Sequence, residues 1–451
     1  MSTTAMTADE KVLMSKYRRL VFASAFGTGL ENYDMFIYAM VAPLVFDTLF
    51  FPKVDPYVGT LLVFATFAIG FLVRPLGSVV FGHFGDKLGR KKILIITLMM
   101  MGIATICMGL LPGYSRLGIW ATGMLLFLRI CQGFALGGET GGANVLALEN
   151  APQKKRGFYT SCVQIGAPLG VVFASFVISV CTGLAGKQAF QAWVWRVPFL
   201  LSAALVILGV YMRANIDESF IFAHTKKRVG APIAEVLRNW KKSLIYAMLS
   251  VMAQGTFFYL VSIFGVAIAS RRLGMSQSYL TAAVLVANCI ALFTVPLYGY
   301  ISDRTGRRPV LLVGIVLCAA FIYPFLAVLT SRNQPLLAIC IVAALGIIQP
   351  LILSMVPAFT SELWPTHVRY TGASVSSHVG SAIGGGLAPL IAASLMGRSL
   401  NFTPVALYYI GIAVLAFIGI LLAPESSKLV LSADKWTTEA ELAQPQQASA
   451  K

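Results

Sequence analysis

The sequence predicts an all-α polytopic membrane protein, with twelve transmembrane helices arranged as two six-helix halves. Three observations predict it. Charged residues make up 12% of the 451 residues and hydrophobic ones 57%, whereas a soluble domain carries roughly 25% charged residues to cover its wet surface. Twelve stretches reach the length of about 20 mostly apolar residues that a membrane helix needs. Polar connections recur in pairs along the chain, at a nearly constant offset. The short alternating segments of a transmembrane β-barrel are not found.

The first six stretches cover 20–46, 57–81, 93–111, 119–148, 158–183 and 193–212. The second six cover 243–270, 277–300, 310–330, 335–361, 372–397 and 403–423. Gly and Pro inside them are compatible with a span, because neighbouring helices re-satisfy freed backbone groups. The first stretch follows Lys16, Arg18 and Arg19 as a signal peptide would, but it is too long, lacks a small-residue cleavage site and contains Glu31 and Asp34. It is read as a retained helix. Residues 1–19 precede it, 213–242 form a long basic connection between the halves, and 424–451 form a polar tail expected to be largely disordered.

A net charge of +17 would suit a nucleic-acid partner if the basic residues shared a solvated face. They are instead dispersed among the apolar runs, so no nucleic-acid partner is expected. Sorted by connection, 25 of the 35 Lys and Arg fall on one side and 8 on the other, while Arg74 and Arg129 lie within spans. The positive-inside rule then places both termini in the cytoplasm of a plasma membrane, with a bacterial inner membrane as the expected setting. The seven cysteines all lie in apolar stretches without paired spacing, as core fillers do; no disulfide or metal site is expected.

Two motifs are duplicated. Gly82, Asp86, Gly89 and Arg90 follow the second span and map onto Gly299, Asp303, Gly306 and Arg307 after the eighth, at an offset of 217. Glu149, Pro152 and Arg156 map onto Glu362, Pro365 and Arg369 at an offset of 213. Two motif pairs at nearly one offset imply homologous halves in the same topology. The glycines permit a tight turn, and the Asp can accept bonds from a helix N-terminus or an Arg. A plain topology-setting loop is the simpler reading, but an acidic position repeated in both halves favours a gate latch. Gly166-x-x-x-Gly170 and Gly380-x-x-x-Gly384 read as helix-packing motifs.

The duplicated loops resemble the signature of the major facilitator superfamily over essentially the whole chain. Further motifs resemble its metabolite:proton symporter family. They are Glu31-Asn32-Tyr33-Asp34, Arg74-Pro75-Leu76-Gly77, Arg129-Ile130-Cys131-Gln132-Gly133 followed by Gly137-Gly138-Glu139, and Trp195-Arg196-Val197-Pro198-Phe199. The resemblance implies a carrier that works by alternating access, with spans one and four packed together and the loops locking a cytoplasmic gate. It implies a proton as coupling ion, no other cofactor, and a cargo among organic acids, shikimate, proline or betaine. Two positions depart from the family pattern: Asn32 stands where an aromatic is usual, and Thr140 where a Trp is usual. Cargo identity therefore does not transfer from the family.

Ionisable groups inside spans are costly and mark function by default. Glu31 and Asp34 are three residues apart and share a helix face. Arg129 and Glu139 are ten apart, also on roughly one face. Asp34 is the expected proton carrier and Arg129 its partner when deprotonated, with Glu31 assisting; a static ion pair is the simpler alternative. Arg129 can equally pair with a cargo carboxylate. Tyr33, Gln164, Gln254, Tyr259, Asn288, Gln349 and His378 are further cargo-site candidates.

No HExxH, GxSxG, Cys/His cluster or Lys-bearing phosphate loop occurs, so the chain is expected to be neither an enzyme nor an ATP-driven pump. The expected function is a proton-coupled symporter, working as a monomer in the lipid bilayer. It would import a small organic acid, such as a mono- or dicarboxylate or a shikimate-like anion. A zwitterion symporter, a proton-coupled exporter and a nontransporting nutrient sensor are the alternatives.

Overall fold

The computed structural model describes residues 8–51, 56–88, 90–138, 144–145, 147–149, 151–214, 232–365 and 367–429. Glu139 and Thr140, most of the central connection and the tail beyond 429 lie outside these residues.

The described chain is helical throughout its spans. Nine helices are long and apolar enough to cross a membrane: Tyr57–Phe81, Ile119–Leu136, Arg156–Gly186, Lys241–Arg271, Gln277–Thr305, Arg307–Thr330, Gln334–Glu362, Arg369–Met396 and Thr403–Lys428. A bent pair, Ser24–Val41 with Leu44–Phe50, supplies the first span, and the shorter apolar helices Ile95–Leu110 and Arg196–Tyr211 fill the third and sixth places. The twelve expected spans are thus all helical. Large apolar side chains such as Trp120, Phe127, Leu184 and Phe293 cover the outer surface, as a bilayer requires, while the polar residues gather inside.

Local sequence explains the ends and bends. Asn333 caps the tenth span by accepting the Leu336 N–H at 3.1 Å, with Pro335 in the first turn. Gly306 separates spans eight and nine at φ +95°, a left-handed conformation that Gly adopts at little cost. Spans one, seven, ten and eleven each contain a π turn, at Ala42–Phe46, Leu260–Gly265, Ala344–Ile348 and Ala382–Gly386. Such turns re-aim side chains and are frequent at functional sites. In span four the helix Ile119–Leu136 is followed by a turn at Gly137-Gly138, and residues 144–145 and 147–149 are again helical.

Small residues set the helix pairs. A Cβ at Gly166 would stand 2.0 Å from the Ala25 carbonyl oxygen and one at Gly170 2.3 Å from that of Gly29, so span five lies backbone to backbone on span one. Gly380 and Gly384 put span eleven equally close to Met248 and Met252 of span seven. The two halves thus repeat one pairing. Gly170→Ala forces these helices apart, and overpacking of this kind costs about 1–3 kcal/mol. The expected result is a lower thermal midpoint of the detergent-solubilised protein, read by tryptophan fluorescence.

The short helix Pro232–Asn239 of the central connection is tied to the start of span eleven by His367 Nε2 and Glu235 Oε1, 2.7 Å apart. The first residues of the tail also depart from expectation. Ser426–Lys428 form a 3-10 turn packed against the bundle, with Ser426 fully buried.

Candidate functional site

Span one brings its two acidic residues to different neighbours. Asp34 is buried inside the first half, where its carboxylate accepts the Ser202 hydroxyl of span six at 2.6 Å and the Thr105 hydroxyl of span three at 3.2 Å. Thr105 accepts Gln132 Nε2 at 2.8 Å, and Gln132 Oε1 accepts Arg129 Nη1 at 2.5 Å. Arg129 therefore reaches Asp34 through an amide and a hydroxyl, a connection that sequence reasoning missed. Gln132 lies three residues after Arg129, one helical turn on, and that spacing was the available signal.

The Thr105 hydroxyl has one hydrogen and two acceptors in range, Asp34 Oδ2 at 3.2 Å and the Met101 carbonyl at 3.0 Å. It can donate to an ionised Asp34, or turn to the backbone and accept from a protonated one. Both charge states of Asp34 thus keep a satisfied shell.

Arg129 itself is fully enclosed. Its guanidinium donates to the Thr66 and Phe67 carbonyls at 3.4 and 3.3 Å and lies 3.7 Å from the centre of the Tyr38 ring. A Cβ on Gly70 would meet Nη2 at 2.6 Å. Arg129 has no exposed surface in this conformation, and besides these first-half groups the Tyr259 side chain of span seven is near enough to interact with its charge. Tyr33 is likewise turned inward: its hydroxyl donates to the Pro198 carbonyl at 2.8 Å and its ring packs 5.2 Å from that of Phe173. Tyr33 does not line the interface between the halves.

A second cation does. Arg74 is 6% exposed and pairs with Glu31 at 3.9 Å, with its guanidinium 3.9 Å over the Phe71 ring. Across the interface, Tyr259 of span seven packs at 5.4 and 5.5 Å from Phe67 and Phe71, and His378 of span eleven faces Arg74 and the Gly137 backbone. Phe36 and Phe258 meet across the same interface at 6.2 Å. The sequence places Arg74 within a span but gives it no partner; its place opposite the second half follows from the close packing of spans two and four, where a Cβ on Gly77 would stand 1.9 Å from the Phe134 carbonyl.

The remaining candidates divide. Gln349 and His378 are buried, and Gln349 Nε2 and His378 Nε2 have no hydrogen-bond partner among the described residues. Asn288 is buried but donates to its own helix at the Val284 carbonyl, 2.8 Å away. Gln164 and Gln254 are half-buried. Beyond the aromatic layer, away from the loop face, a small open cleft lies between spans one, seven and eight.

The duplicated loops meet on the opposite face. Asp303 of the second half accepts the Gly157 and Phe158 N–H groups at the start of span five, at 2.8 and 2.9 Å, so it caps a helix of the first half. Arg307 holds Asp303 at 2.8 Å and Glu362 at 3.5 Å, and Arg369 crosses to Glu149 at 2.9 Å. Arg156 opens span five, and Gly299 sits so close to Ser161 that a Cβ there would meet its Oγ at 2.1 Å. The side chains of the first copy, at Gly82, Asp86, Gly89 and Arg90, lie outside the described residues. Sequence reasoning missed the brace behind this latch: Glu425 accepts the Arg307 and Arg308 N–H groups at 2.7 and 3.1 Å, and Ser426 donates to Glu362 at 2.6 Å.

Asp303→Ala removes two charge-assisted bonds, each worth roughly 1.5–3 kcal/mol. Amide hydrogen exchange at Gly157 and Phe158 is expected to quicken by at least about tenfold, with mass spectrometry of the peptide spanning residues 156–164 as the readout.

The sequence profile of the Major Facilitator Superfamily matches residues 24–389 and, in a second register, 247–443. The chain belongs to this superfamily. Its relatives within it include the inner membrane metabolite transport protein YhjE of Escherichia coli K12, 39% identical over 94% of this chain and 99% of that one. The shikimate transporter of the same organism is 34% identical over 93% and 98%, and its proline/betaine transporter 32% identical over 89% and 82%. Among solved structures, a partially occluded inward-open form of the E. coli xylose transporter XylE shares the fold, with a TM-score of 0.72 at 16% identity over 92% of this chain and 100% of that one. This major facilitator is therefore a membrane carrier of metabolites and not an enzyme. In it Asp303 of the second half is bonded to the start of span five of the first.

Proposed function

We propose that this carrier imports a small organic acid together with a proton. The observation that carries the reading is the Glu31–Arg74 pair: a buried guanidinium at the interface of the halves, held by one carboxylate at the long distance of 3.9 Å. A cargo carboxylate can take Arg74 in bidentate geometry and displace Glu31. Glu31 then becomes an uncompensated buried charge, which is strongly disfavoured unless a proton is taken up. Asp34, three residues along the same helix face, is the group that receives the proton and passes it on to Glu31, since Ser202 and Thr105 satisfy Asp34 with or without it. Arg129 supplies a fixed positive charge behind it through Gln132. Cargo and proton thus act on one helix, and loading both restores neutrality before the halves rock.

The similarity to a shikimate transporter supports an organic acid, while the similarity to a proline/betaine transporter keeps a zwitterion in view. Uptake of labelled organic acids and glycine betaine into proteoliposomes, with and without an inward proton gradient, tests the reading. Gradient-stimulated uptake of an acid supports it; uptake indifferent to the gradient contradicts it.

A further inference from the structure

We propose that the cargo carries one carboxylate on an otherwise uncharged, hydroxyl-bearing body. This rests on the reading of Arg74 as the cargo's anchor. Among the described residues, two guanidiniums lie deep between the faces of the bundle. Arg129 is committed to Gln132, two backbone carbonyls and the Tyr38 ring, with no exposed surface. Arg74 is held instead by a carboxylate, Glu31, and faces His378 of the second half. One cargo carboxylate replaces Glu31 on Arg74, and one proton balances the displaced charge. A second carboxylate would find neither a guanidinium nor an ammonium, in surroundings where an unpaired charge is strongly disfavoured.

The rest of the interface agrees. The cleft between spans one, seven and eight is lined by apolar side chains and by Ser262, Ser270, Gln277 and Thr281, with no ionisable group among its lining. On span eleven, Ser374 and His378 lie four residues apart on one face; both are buried, and Ser374 Oγ and His378 Nε2 have no hydrogen-bond partner among the described residues. Uncharged polar groups of this kind suit hydroxyls. A quaternary ammonium has no comparable seat, because Arg74 already covers Phe71, and Phe67, Phe71 and Tyr259 close on one another at 5.1–5.5 Å.

The test uses the full-length protein in proteoliposomes under an inward proton gradient. Initial rates are compared for hydroxylated monocarboxylates (shikimate and quinate), a dicarboxylate (2-oxoglutarate), a tricarboxylate (citrate) and glycine betaine. At least one monocarboxylate is expected to enter about tenfold or more faster than 2-oxoglutarate and citrate, with betaine at background. Glu31→Gln removes a negative charge beside Arg74, so it is expected to narrow the monocarboxylate-to-2-oxoglutarate ratio about fivefold. Dicarboxylate uptake as fast as that of the best monocarboxylate overturns the single-carboxylate inference while leaving the organic-acid reading intact. Betaine uptake without acid uptake overturns both. The wild-type rates decide the matter if the variant does not reach the membrane.

Discussion

Arg74→Gln is expected to lower cargo uptake by at least about a hundredfold, because removing one partner of a buried ion pair typically costs 3–5 kcal/mol. Here that partner is also the proposed anchor of the cargo. The substitution leaves Glu31 buried without the guanidinium 3.9 Å away, and it strips the Phe71 ring face of its cation. Arg74→Lys keeps the charge but loses the two-pronged geometry that matches a carboxylate. Its uptake is expected to lie between the two, about tenfold below wild type. Binding by scintillation proximity should fall in the same order, with the folded protein checked by size-exclusion profile. If Arg74→Gln transported at wild-type rates, the cargo site would have to lie elsewhere.

Asp34→Asn is expected to separate transport from the proton gradient. A gradient of one pH unit can sustain about tenfold accumulation of a cargo moving with one proton, since each unit is worth about 1.4 kcal/mol. The variant should show no accumulation above equilibrium, yet exchange of labelled for unlabelled cargo should continue within a few-fold of wild type. The reason is local: Asn has the shape of a protonated Asp, and Ser202 and Thr105 can still donate to its amide oxygen, as they do to the carboxylate. The helix packing around it is unchanged, so the halves can still rock. Loss of exchange together with accumulation would make Asp34 a structural residue.

Much of the architecture was legible in the sequence because membrane spans and duplicated loops are written in composition and spacing. The two small-residue motifs were legible as packing seams, but that they join spans one with five and seven with eleven is visible only in the fold. Asp303 was legible as an acceptor for a helix N-terminus, because an Asp beside a glycine turn suits one, and it caps span five. The polar wiring was not. Thr105, Ser202 and Gln132 are ordinary neutral residues in apolar helices, and only three-dimensional packing shows that they meet Asp34 and Arg129. The placement of Arg74 beside Glu31 and opposite His378 was hidden for the same reason: sequence position gives depth in the membrane, but not which face of the helix meets the other half. Glu425 and Ser426 lay in a polar tail, where nothing in composition distinguishes a brace from a loose end.

The central claim is that cargo and proton enter together through the Glu31–Arg74 and Asp34 groups. Its most direct test is proton movement driven by cargo alone. Wild-type proteoliposomes loaded with a pH-sensitive dye, with no imposed gradient, would receive external monocarboxylate. The account predicts acidification of the lumen on cargo addition, absent in Asp34→Asn liposomes that still exchange cargo. Entry of cargo through the wild-type protein without any change in lumenal pH would contradict it.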